Sequence, residues 1–243
     1  MDPSQKDIIA QLRKDILPLQ GLKALPTDNH INIGFRPMEL AFPDATFPIG
    51  CTHEFLSTPQ NVASTNGFVA VLMSKIMQEG GAAIWISASR ALFPAALNRF
   101  GIDPDKIIFV DLKKEKDALY TIEEALKCKR LTTVIGEISQ ITFKESRRLQ
   151  LAAEQSRVTG FLLRQELNVL NTIACVSRWR ITSLPSELND GMPGVGFPRW
   201  NVELLKIRNG KPCNWQVEWS SNCLKEIREN IFSIQQDQKQ KTG

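Results

Sequence analysis

Between residues 50 and 164, short apolar runs alternate with stretches whose apolar positions recur every three or four residues. The first run, 51–56, reads as a strand, and 61–79 follows as a helix bearing Val62, Val69, Leu72, Met73, Ile76 and Met77; 82–87 is a second strand. A helix through Ala91, Leu92, Ala95, Ala96 and Leu97 leads to a strand at 106–111, a helix at 116–128, a strand at 132–137, a helix at 144–156 and a strand at 160–164. Five strands separated by helices predict an α/β fold, a mostly parallel sheet flanked by helices and joined by right-handed crossovers.

The two ends of the chain depart from this alternation. Ile8, Ile9, Leu12, Ile16 and Leu19 predict an amphipathic N-terminal helix over 5–20, whose apolar stripe packs on its own domain or on another subunit. Pro26, Pro37, Pro43 and Pro48 then make 23–49 a connector. Beyond 164 the pattern turns to strands at 172–181, 200–208 and 215–219, and the turn at 209–212 predicts an antiparallel hairpin extending the parallel sheet. Segment 184–198, rich in Pro and Gly, is a loop, and the polar end predicts a fraying tail. The expected organisation is an N-terminal helix and connector over 1–49, a core over 50–221 and a polar C-terminal tail over 222–243.

Composition adds mainly exclusions. The 243 residues carry 30 Lys+Arg against 26 Asp+Glu, a net +4 that permits a local basic patch but no general coat for nucleic acid. No apolar run reaches the roughly 18 residues of a membrane span, and the mixed charges of residues 1–20 do not read as a secretory signal. Cys51, Cys128, Cys175, Cys213 and Cys223 form no CxxC pair, and His30 and His53 do not complete a zinc spacing. The expectation is a cytoplasmic protein with no cofactor and no structural metal.

Candidate chemistry centres on the loop after the first strand, Ser57-Thr58-Pro59-Gln60-Asn61-Val62-Ala63-Ser64. A phosphate-binding loop in this place needs glycines, so that backbone N–H groups converge on phosphate oxygens, and a Lys for countercharge. This loop has no glycine, Ala63 stands where the Lys belongs, and Pro59 removes a donor. His53 and Glu54 are adjacent on a strand and point to opposite faces, so they form no acid–base pair. On the helix at 144–156, Lys144, Arg147, Arg148 and Gln155 share one face, followed by Arg157; this is a solvated face or a contact for phosphate or an acidic partner. Trp215 and Trp219 alternate with polar residues as in a half-buried hairpin. Trp179 and Trp200 are flanked by Arg178 and Arg180 and by Arg199, which leaves core packing or partner contact open. Met192 and Phe197 give the loop at 190–198 apolar side chains for docking or for folding back.

The stretch Gly50-Cys51-Thr52-His53-Glu54-Phe55-Leu56 resembles the strand entering the phosphate loop of RecA recombinase. Trp85-Ile86-Ser87-Ala88-Ser89-Arg90-Ala91-Leu92-Phe93-Pro94, with Phe100-Gly101-Ile102-Asp103, is similar to the block bearing that family's catalytic glutamate, which falls on Ser89. Glu137 falls on the Walker B acid, and the two DNA-binding loops look truncated. A RecA-like core without the ATPase set, carrying Glu-Ser-Arg-Arg-Leu-Gln-Leu at 145–151, Glu-Gln-Ser-Arg-Val-Thr-Gly at 154–160 and Asp-Gly-Met-Pro-Gly-Val-Gly-Phe-Pro-Arg-Trp at 190–200, resembles the ImuA family. The resemblance implies a noncatalytic adaptor in damage-induced translesion DNA synthesis and mutagenesis. The implied partners are an ImuB-like Y-family protein, an error-prone C-family polymerase and RecA itself, with DNA contact weak or indirect. The alternatives it leaves open are a division inhibitor of the SulA kind and a divergent RecA-type ATPase.

Overall fold

The structure, a computed structural model, describes residues 31–42, 45–88, 92–165, 171–187 and 195–227. The N-terminal helix expected at 5–20, Ser89, Met192 and the tail beyond residue 227 lie outside the described residues. Among the described residues, nine strands form one sheet in the order β3-β2-β4-β5-β1-β6-β7-β8-β9. The strands β1 (Thr52–Ser57), β2 (Ala82–Ser87), β3 (Ile107–Asp111), β4 (Leu131–Glu137) and β5 (Thr159–Gln165) run parallel, as the alternation predicts. β6 (Ser177–Leu184) continues parallel to β1, while β7 (Arg199–Ile207), β8 (Cys213–Ser220) and β9 (Cys223–Glu226) each run antiparallel to the strand before.

Helices cover the central parallel strands on both faces, which is why β1 is buried at every position. On one face α2 (Val62–Ile76) packs Phe68 and Leu72 into a core with Phe55, Phe161, Trp179 and Trp200. On the other, α3 (Glu115–Lys127) and α4 (Phe143–Ser156) enclose Ile122, Leu126, Val134, Leu149 and Leu162. Only glycine fits at Gly136 on β4, because an added Cβ would lie 2.2 Å from Ile122 Cδ1. α3 therefore sits close against the sheet.

The expected boundaries change in four places. The helix expected around 91–97 is a 3₁₀ helix, Pro94–Phe100. The strand expected from residue 172 begins at Ser177, because Ala174 N–H donates to Ser146 Oγ of α4 (3.0 Å) instead of to a neighbouring strand. The described residues of the connector, 31–42 and 45–49, pack into the core. Ile33, Phe35, Met38, Phe42 and Phe47 are buried around the short α1 (Arg36–Glu39), and the buried Glu39 carboxylate accepts from Ile33 N–H at 2.9 Å. Residues 223–226, expected in the polar tail, form β9, whose Leu224 is buried against the hairpin.

Candidate functional site

The carboxyl ends of parallel strands are where open α/β sheets take ligands. Here β1 ends at Ser57 and leads through a 3₁₀ turn, Pro59–Asn61, into α2. None of residues 57–64 has positive φ, so their N–H groups do not form the αR–αL concavity that holds phosphate. Instead the Asn61 amide spans the loop. Its Nδ2 donates to Thr58 Oγ1 (2.8 Å), and its Oδ1 accepts from Ser183 N–H (3.0 Å) and Ser183 Oγ (3.2 Å) on β6. Glu137, at the end of β4, accepts from the indole N–H of buried Trp85 at 2.9 Å.

Two buried polar clusters flank β1 below this loop. On the α2 face, His53 stacks on Phe47 with ring centroids 4.6 Å apart. Burial lowers its pKa to about 4, so the ring is neutral, although the hydrogen bond to Pro48 acts in the opposite sense. The Pro48 carbonyl can only accept, so Nε2 donates to it (2.9 Å); Nδ1 then accepts from Ser177 Oγ (2.6 Å), which accepts from Trp179 Nε1 (2.7 Å). On the opposite face, buried Glu54 is bound by Arg164 Nη1 through one oxygen and by Arg178 Nε through the other. Asn171 completes this cluster, accepting from Arg164 Nη2 at its side chain (3.1 Å) and from Arg178 Nη2 at its backbone carbonyl (2.8 Å).

The predicted contact residues do not form one patch. Trp179 is fully buried and stacks on Phe55 (6.0 Å, 8°), and Trp200 is 3 % exposed between Phe68 and Phe100. Both are core residues and present no ring to a base or partner. Arg178 is held by Glu54, and Arg199 by Glu187 (2.7 Å) and Glu218 (2.8 Å), so these two cations pair with carboxylates of the same chain. Arg157 is exposed beyond α4 in the left-handed region, φ 70°. Phe197 is 45 % exposed.

The basic residues of α4 do lie on its solvent side. Lys144 and Arg147 are exposed, and Arg148 reaches across to Glu123 of α3. Burial alone would raise the pKa of Glu123, but hydrogen bonds from Arg148 and Lys127 hold the carboxyl below its ordinary value. A reciprocal capping box fixes the start of the helix. Glu145 N–H donates to Thr142 Oγ1 (3.3 Å), and Thr142 N–H donates to the Glu145 carboxylate (2.8 Å). The same solvent side carries Phe143 and Leu151, 56 % and 39 % exposed, which sequence reasoning missed. The signal was their spacing of eight from one another and four from Arg147, which puts all three on the face opposite Leu149 and Ala153.

No family model matches the chain. It is 28% identical over 201 residues to Protein ImuA of Caulobacter vibrioides (strain NA1000 / CB15N), covering 77% of this chain and 82% of that protein. A shorter similarity, 27% over 99 residues, relates 40% of this chain to 56% of the cell division inhibitor SulA of Photorhabdus laumondii. The fold matches the RadB recombinase with a TM-score of 0.57 at 12% identity, over 82% of this chain and all of that one. It also matches a KaiC-like protein of Pyrococcus horikoshii OT3, with a TM-score of 0.55 at 14% identity, over 82% of this chain and 99% of that one. The sheet is a RecA-like sheet, and the ImuA resemblance seen in the sequence motifs extends over most of the chain.

Proposed function

We propose that this chain is a noncatalytic RecA-like accessory protein in damage-induced translesion DNA synthesis and mutagenesis. It assembles with an ImuB-like Y-family protein and through it with an error-prone C-family polymerase. The observation that carries the noncatalytic part is the β1–α2 loop, which lacks glycine, Lys and positive φ, and whose Asn61 is committed to Ser183. Glu137 supports it, since its carboxylate already accepts from Trp85. The similarity to ImuA, over most of both chains, supports the accessory role. Without nucleotide turnover the protein acts by binding energy, and its place is the cytoplasm.

Calorimetric titration with ATP and magnesium is expected to give no micromolar binding; micromolar affinity would overturn the noncatalytic reading. Co-purification with an ImuB-like protein from the same organism tests the partner, and failure of the two to associate at micromolar concentration would reject it. The partial SulA similarity favours a second reading, a division inhibitor, but it spans 40% of the chain against 77% for ImuA. Arrest of filament assembly by the tubulin-like division protein would reverse that preference.

A further inference from the structure

We infer that the solvent face of α4 is a docking surface for an acidic amphipathic helix of a protein partner. The core side of α4 is complete without this face, being made by Ser146, Leu149, Gln150, Ala152, Ala153 and Ser156. Phe143, Arg147 and Leu151, at spacings of four, form a separate stripe in solvent, with Lys144 and Arg148 alongside. Single exposed apolar residues are ordinary, but two large ones aligned on one helix make a patch.

The chemistry of the patch selects its occupant. Its apolar residues sit among Lys144 and Arg147; of the carboxylates nearby, Glu123 is already held by Arg148 and Lys127, and Glu154 accepts from Gln150 (2.7 Å). A complementary partner therefore presents apolar side chains flanked by Asp or Glu. Phe143 and Leu151 are eight residues apart, about 12 Å along the axis, the span of i and i+7 or i+8 on a second helix. Nucleic acid fits less well, because phosphates make no use of a central Phe and Leu. The capping box and the Arg148–Glu123 bridge hold the face in shape before binding, which lowers the ordering cost of association.

The surface rests on the accessory-protein reading only for the identity of its natural partner. The test uses the full chain and three probes: a helical peptide of about 18 residues with Leu at i, i+4 and i+7 and flanking Glu; the same peptide with Lys for Glu; and a fluorescent single-stranded oligonucleotide. The Glu peptide is expected to bind and the Lys peptide not to. Phe143→Ser with Leu151→Ser, and separately Lys144→Glu with Arg147→Glu, should each weaken Glu-peptide binding about tenfold or more. The charge-reversed variant should also gain affinity for the Lys peptide, a result that loss of fold would not produce. Equal binding of both peptides, indifference to both double variants, or binding of the oligonucleotide alone overturns the proposal. An ImuB-like protein that binds wild type and both variants equally refutes this surface as its docking site and leaves the accessory reading standing. One that does not bind at all, while the Glu peptide does, refutes the accessory reading and leaves the surface.

Discussion

His53 and Glu54 are neighbours on β1, both fully buried, and they meet the interior in opposite ways. His53 faces an aromatic cluster, stays neutral, and passes its hydrogen bonds along a chain from Trp179 through Ser177 to Pro48. Glu54 lies on the other face between two guanidinium groups. One side satisfies its polar atoms without charge, the other by pairing charge. A neutral chain loses little when one link weakens, whereas a buried ionic cluster fails when its central anion is removed.

The largest expected effect is therefore at Glu54. Glu54→Ala leaves Arg164 buried without its carboxylate and should cost about 3–5 kcal/mol, read as a fall in the urea midpoint. Adding Arg164→Met to that variant should recover part of the loss; no recovery would mean that packing, and not charge, sets the penalty. Acid tests the other face. His53 has a folded-state pKa of about 4 against an ordinary 6.5, so the unfolded chain takes up the proton first. Its contribution, about 3 kcal/mol, is complete above pH 6.5 and is lost progressively as pH falls toward 4. A His53→Gln variant should lose stability less steeply than wild type between pH 6.5 and 5, and parallel curves would remove His53 as the cause.

Ser177→Ala interrupts the neutral chain, leaving the Trp179 indole N–H and His53 Nδ1 without their hydroxyl, and should cost about 1–3 kcal/mol at pH 7. If it costs as much as Glu54→Ala, the two faces do not differ as argued. Arg148→Ala breaks an Arg–carboxylate pair like those at Glu54, but its Arg is 57 % exposed. Its cost should stay below about 1 kcal/mol and shrink further in high salt.

Much of this arrangement was legible in the sequence. Strands β1 to β5 and their helices follow from apolar runs and helical spacing, and the hairpin follows from Trp215, Val217 and Trp219 alternating with polar residues. The loss of a phosphate site was legible too, since it depends on residue types within one loop. The Glu54 cluster was not, because its partners lie 110 and 124 residues away and only the register of β1, β5 and β6 brings them together. Trp179 and Trp200 were open between core and contact because flanking arginines look the same in either setting; the pleat directs the rings to the α2 face and the arginines to the opposite face. Phe143 and Leu151 were missed for the converse reason, since apolar residues on a helix are taken for core until the helix's buried face is known.

All five tryptophans are at most 9 % exposed, so every indole of this chain reports from a dry interior. Trp179, Trp200, Trp215 and Trp219 lie on β6 to β8, with Trp85 alone on β1 to β5. Native intrinsic emission is therefore expected to be blue-shifted, poorly quenched and weighted toward β6 to β8. The α4 face carries no tryptophan, so a helix docking there would leave that glow almost unchanged, while unfolding would redden it; a label on the incoming helix is what makes the two events separable in one cuvette.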